Sequence, residues 1–175
     1  MAAGPTYTPI ATTTLGSAGT VTFSSIPQIY TDLVIICNGY NATQDGGSPT
    51  IQFNSDTSTS GTNYSDTYLS GNGSSATSAR HSNYPYVIIG QQIGWDTTST
   101  DRASSIVNIL NYSNTTTYKT VLIRANLASG TYSGSEVGVS LWRSTAAINS
   151  IILQTSDFSN FATGSTFTLY GIAAA

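Results

Sequence analysis

Charge is the scarcest property of this sequence. Asp, Glu, Lys and Arg make up 7% of the 175 residues, eight acidic against five basic, for a formal net charge of -3. A basic set this small, scattered at Arg80, Arg102, Lys119, Arg124 and Arg143, excludes a nucleic-acid footprint, because counterion release has little to act on. Histidine and cysteine occur once each, as His81 and Cys37. One of each cannot complete the three or four ligands of a zinc site, and a lone cysteine forms no intramolecular disulfide. Neither a metal nor a cofactor is expected. A Ser-His-Asp or Cys-His system would have to use His81, which beside Arg80 in a polar stretch reads as an exposed loop residue. Cys37 follows Leu33-Val34-Ile35-Ile36 and reads as a small buried hydrophobe.

No run approaches the roughly 20 apolar residues of a membrane span. Met1-Ala2-Ala3-Gly4-Pro5 has neither the basic region nor the apolar region of a signal peptide. The chain is therefore expected to be made in the cytosol and to leave only by a route such as lysis, with its sequons at Asn41, Asn63, Asn72, Asn111 and Asn114 unglycosylated. Two carboxylates across a cleft would suit glycoside hydrolysis, and Asp56, Asp66, Asp96, Asp101 and Glu136 are the candidates. Asp in Ser- and Gly-rich segments more often makes Asx-turns, so no enzyme is expected. Asn54, Asp56, Asp66 and Asn72 supply the oxygen that calcium takes, but no Asp-x-Asp-x-Asp-Gly loop is present.

What the chain has in place of charge is hydroxyl: Ser and Thr account for roughly a third of it, well above the globular background. Aromatics at 10% and a small net charge argue against disorder. Short β-branched and aromatic runs recur between turn residues, which predicts an all-β, single antiparallel β-sandwich occupying residues 21–175. The predicted strands are Val21–Ile26, Leu33–Asn38, Thr50–Asn54, Tyr64–Leu69, Tyr86–Gly90, Ser105–Tyr112, Thr120–Leu127, Val137–Trp142, Ile148–Thr155 and Thr166–Ile172. Residues 1–20, rich in Pro, Gly and Thr, form an extended N-terminal arm or a first edge strand. As an arm, it would place Tyr7, Ile10 and Leu15 as assembly contacts, dispensable for folding.

Val137, Val139 and Leu141 share one strand face, the alternation of a half-buried sheet whose apolar face meets the core. Leu33–Cys37, Val121–Ile123 and Ile151–Leu153 are apolar on both faces, so each needs a cover beyond the partner sheet: a loop, the arm or another subunit. Asp56–Asn83 reads as a long polar loop region, and Ser156–Phe161 as at most one helical turn. Tyr64, Tyr68, Tyr84, Tyr86, Trp95 and Tyr132 lie in or beside predicted loops, where they suit a protein interface or a sugar face, unless they are buried at the sandwich ends. Trp142 reads as core.

Several segments taken in order carry a resemblance. They are Thr22-Phe23-Ser24-Ser25-Ile26-Pro27-Gln28 with Tyr30-Thr31-Asp32-Leu33-Val34, then Asn63-Tyr64-Ser65 and Gly71-Asn72-Gly73. The second half adds Asn111 through Lys119, Leu141 through Ile151, and Gly164 through Ile172. Together they resemble small virion structural proteins of tailed bacteriophages, including cyanophage-like ones. The resemblance implies a jelly-roll-like sandwich on the virion exterior: a capsid decoration or cement protein that binds the major capsid protein, or a tail fibre or tip component. It carries over no functional residue. The expected partners are a second and third copy of the chain, as a trimer with a dimer as alternative, and other virion proteins, with no membrane and no nucleic acid. A host glycan is a partner only for the tail module or for a free lectin-like domain, the third reading.

Overall fold

The computed structural model describes residues 6–43, 47–56, 63–92, 95, 102–128 and 133–173, and among these there are strands and turns but no helix. The strands are β1 (Tyr7–Thr14), β2 (Val21–Phe23), β3 (Asp32–Gly39), β4 (Pro49–Phe53), β5 (Tyr64–Gly71) and β6 (Ala76–Tyr84). The second half gives β7 (Val87–Ile88), β8 (Ala103–Leu110), β9 (Lys119–Ala128), β10 (Ser133–Trp142), β11 (Ile151–Thr155) and β12 (Thr166–Ile172). They form two antiparallel sheets, ordered β1-β12-β3-β8-β9-β10-β5-β6 and β2-β11-β4-β7, packed as a β-sandwich. The sandwich expected from the spacing of the strands is what the chain adopts.

Alternation decides which side chains meet between the sheets. Leu33, Ile35 and Cys37 of β3, Val107 and Ile109 of β8, and Val121 and Ile123 of β9 point inward and are buried. They pack against Phe53 and Ile51 of β4 and against Ile151 and Leu153 of β11. Cys37 is a free thiol with no exposure, as its apolar run predicts. Two aromatic groups anchor the ends of this core. Trp142 lies 5.4 Å from the Phe53 ring and 6.3 Å from that of Tyr64, and Trp95 lies 5.5 Å from Phe161. On β12, the Tyr30 ring covers Gly171 so closely that an added Cβ would fall 2.3 Å from it, so Gly171→Ala would have to displace the ring.

Several sequence expectations are corrected. The polar stretch from Asp56 to Asn83 is not all loop where it is described: Tyr64–Leu69 lies in β5, as expected, but Ala76–Tyr84, unexpectedly, pairs with it in a hairpin as β6 on the rim of the large sheet. That hairpin turns at Asn72, whose Oδ1 accepts the amides of Ser74 and Ser75 at 3.1 and 2.9 Å, with Gly73 at a φ of 87°. Of the two readings of residues 1–20, the described part follows the edge strand and not the free arm, because Tyr7–Thr14 pairs with β12 at the rim of the large sheet. Ser156–Phe161 makes a turn in which the Asp157 carboxylate accepts the Thr155 hydroxyl at 2.6 Å and the Ser159 amide at 3.2 Å. The alternation of β10 is also out of phase with the expectation. Glu136, Ser140 and Trp142 point inward, while Val137 and Val139 point to solvent and are 50% and 43% exposed.

Candidate functional site

The inverted phase of β10 gives the outer face of the large sheet its character. Register places Ile36 opposite Ile106, Ile106 opposite Arg124, Arg124 opposite Val137, and Val137 opposite Leu69, so these five form one row across β3, β8, β9, β10 and β5. The next row runs Val34, Asn108, Leu122, Val139, Thr67 and Arg80. Ile36, Leu69 and Leu122 are exposed along with the two valines. Single exposed aliphatics are ordinary, but a contiguous set on the flat face of a central sheet marks an interaction surface. Neither the Arg80 nor the Arg124 guanidinium has a hydrogen-bond or ion-pair partner among the described residues. The other basic groups are committed: Lys119 is buried with its Nζ donating to the Thr117 and Thr145 carbonyls, and Arg102 donates to the Gly164 carbonyl at 2.6 Å.

The carboxylates have gone to the opposite face of the same strands. Asp66 of β5 and Glu136 of β10 are 9% and 4% exposed. Glu136 accepts the backbone amides of Gln91 and Gln92 at 3.0 and 2.8 Å, which ties the segment after β7 to β10. Asp66 accepts His81 Nδ1 at 3.1 Å, and His81, not an exposed loop residue but part of β6, lies between the rings of Tyr68 and Tyr84. Ser140 Oγ is buried nearby without a partner. Asp66 and Glu136 thus share one interior, but each carboxylate is occupied by internal donors.

Burial raises the pKa of both carboxyls, against the hydrogen bonds from His81 and from the two amides. For Asp157, burial also raises, but bonds from Thr155, Ser159 and the Gly47 amide outweigh it and bring the pKa to about 2. The signs are opposite. A carboxyl raised in the folded state binds more protons there than in the unfolded chain, so its contribution to stability grows as pH falls from above the raised value toward the ordinary value near 4. The Asp157 contribution is present above its unfolded value and disappears only as pH falls through about 2. Lowering pH from 8 toward 4 is therefore expected to raise the unfolding free energy, and Glu136→Gln should reduce the gain. Denaturant melts across that range measure it; a fall in stability toward pH 5 would contradict the assignment.

The predicted aromatics divide. Tyr64 and Trp95 are fully buried core residues, Tyr68 is 8% exposed, and Tyr84 and Tyr86 are half-buried with rings 5.6 Å apart. Tyr68, His81, Tyr84 and Tyr86 thus form one chain of rings, and Tyr132 lies outside the described residues. Tyr7 is exposed and meets Tyr170 edge-on at 6.1 Å, whereas Ile10 and Leu15 pack against the chain's own core. The four calcium candidates do not form one site: Asn54 bonds Ala147, Asn149 and Ser150, Asp56 holds the Trp142 indole at 2.7 Å, Asp66 faces His81 and Asn72 makes its turn. Among the described residues, no group of three or more His, Cys, Asp or Glu is placed to hold a metal. The two-faced runs of β3 and β9 had pointed to a covered outer face, but its β10 part was missed because Val137 and Val139 have the same period-2 signal as a core strand. The discriminating signal was the other phase, which puts Trp142 and Ser140 with Glu136. No protein-family model, curated protein or solved structure matches the chain.

Proposed function

We propose that this protein is a non-enzymatic structural component of the exterior of a bacteriophage particle, a capsid decoration or cement protein. It binds the lattice of the major capsid protein through the outer face of its large sheet and stabilises that lattice. The observation that carries the docking role is the set of exposed aliphatics on that face, Val137 and Val139 with Ile36, Leu69 and Leu122, because burying Trp142 fixes the phase of β10 but does not require its solvent side to be apolar. The phage context comes from the sequence resemblance described above, and so does a jelly-roll-like connectivity. Self-association as a trimer, or as a dimer, belongs to the same reading.

Labelled antibody and electron microscopy on purified particles test the location, with labels over the capsid shell expected and labels confined to the tail opposing. Val137→Glu is expected to leave the melting transition within about 0.5 kcal/mol of wild type, since the position is exposed. The same change puts a charge into an apolar contact and should weaken attachment by about 30-fold or more. Unchanged attachment would refute the docking role. The tail-module reading is favoured by one observation, the chain of rings from Tyr68 to Tyr86, and predicts that Tyr84→Ala lowers binding to host glycans.

A further inference from the structure

We propose that the partner of the outer sheet face is a protein surface carrying a carboxylate among aliphatic side chains, and not a second copy of this chain set face to face. The proposal rests on the docking reading above and names the chemistry of its occupant.

Arg124 stands at the middle of the exposed row. In the row Ile36, Ile106, Arg124, Val137, Leu69 it is the middle residue, with two aliphatics on either side. Strands lie about 4.8 Å apart, so the row spans roughly 19 Å and Arg124 marks its centre. Leu122 and Val139 flank it in the adjacent row. Any partner that dries this patch must also dry the guanidinium, which has no ion pair among the described residues. Burying an unpaired charge is strongly unfavourable, so the occupant has to supply an anion at the middle of its own apolar contact.

A second copy cannot supply one there. An isologous pairing places the same patch on both sides, and because Arg124 is central, it brings two guanidiniums into one dried contact. Among the described residues, the carboxylates of the strands that form this face are also in the wrong place. Asp66 and Glu136 point to the interior, and Asp32, on the outer face at the end of β3, already accepts the Asn111 amide at 2.7 Å. Arg80, two strands beyond Leu122's neighbour Val139, adds a second positive group at the rim of the patch. Among the described residues the face is apolar and cationic, with no exposed carboxylate near the centre. Complementarity therefore asks for an acidic, aliphatic protein surface.

The chain itself can be turned into the probe. Arg124→Glu places a carboxylate at the centre of the same aliphatic patch on an otherwise identical molecule. Sedimentation velocity at about 100 μM, with melting curves confirming that every variant is folded, compares wild type, R124E and their equimolar mixture. Wild type and R124E alone are expected to keep one common mass, and the mixture to show a species of about twice that mass. That species should weaken severalfold in 0.5 M NaCl and disappear when Val137→Glu is added to either component. If the mixture is no heavier than its parts, or if wild type alone associates through this face so that V137E lowers its mass, the proposal is overturned. Failure of the underlying reading looks different: there V137E attaches to particles as well as wild type, whatever the mixture does.

Discussion

Trp142→Ala is expected to lower the unfolding free energy by about 3–5 kcal/mol, the largest loss of any single substitution considered for this chain. Trp142 ends β10, opposite Lys119 of β9 and Tyr64 of β5, and is 2% exposed. Its ring fills the space between Phe53 and Tyr64, and the Tyr64 hydroxyl accepts the Phe53 amide at 3.0 Å, so a cavity at Trp142 loosens contacts on both sheets. The indole N–H also donates to Asp56 Oδ2 at 2.7 Å. These two contributions separate experimentally. Trp142→Phe keeps most of the ring volume and loses the donor, so it should cost about 1–2 kcal/mol, close to one charge-assisted hydrogen bond. Chemical denaturation of the two variants measures both; equal losses would mean that the Asp56 bond, and not the packing, dominates.

The core was legible in the sequence because its signal is local. Leu33, Ile35 and Cys37 alternate, Ile51 and Phe53 alternate, and each set is buried as its period requires. The hairpin of β5 and β6 was not legible as a pair, because Ala76 through Asn83 has no apolar face at all. Its register comes from Tyr64, Asp66 and Tyr68 on the neighbouring strand, and a rim strand only half-buried at Ala79, His81 and Tyr84 has no need of a hydrophobic pattern. The site was misread for a different reason. Val137, Val139 and Leu141 report that one face of β10 is apolar, but periodicity cannot say which face meets the second sheet. Here the deciding residue is Trp142, whose volume fits only the interior and which forces its strand neighbours Val139 and Val137 outward by parity.

That parity links stability to function in one strand. The interior side of β10 holds the aromatic anchor and the carboxylate that fixes Gln91 and Gln92, while the solvent side holds the patch. Substitutions on β10 should therefore divide cleanly: odd-numbered positions from Val137 to Leu141 alter attachment and spare folding, and the even-numbered Glu136, Ser140 and Trp142 alter folding.

A chain beginning at Gly19 is expected to fold with a stability lower by about 2–3 kcal/mol, or to lose its cooperative transition. The sequence alone left a first edge strand open but favoured a dispensable arm, because Tyr7, Ile10 and Leu15 are too widely spaced to form a core of their own. They do not need to, since the large sheet provides one. Thr8 through Thr14 pair with Gly171 through Thr166, and the threonine hydroxyls of Thr12 and Thr14 meet those of Thr168 and Thr166 at 3.2 Å. Ile10 and Leu15 cover the core, and Leu15 is fixed at both its amide and its carbonyl by Ser165 and Gly164. Removing the segment strips the outer edge of β12 and uncovers the apolar groups beneath, at a strand with no Pro to discourage pairing. For a domain of this size each kcal/mol lost lowers the melting midpoint by about 2–4 °C, so the shift should be about 4–12 °C. The bare β12 edge should also make the truncated protein self-associate as concentration rises, which the full chain resists because β1 carries Pro9 and a register shift between Pro9 and Ala11 at the sheet's rim. Thermal melts with size-exclusion chromatography at two concentrations test both effects. A truncated chain that melts like the full one and stays at the full chain's oligomeric state would restore the segment to an arm.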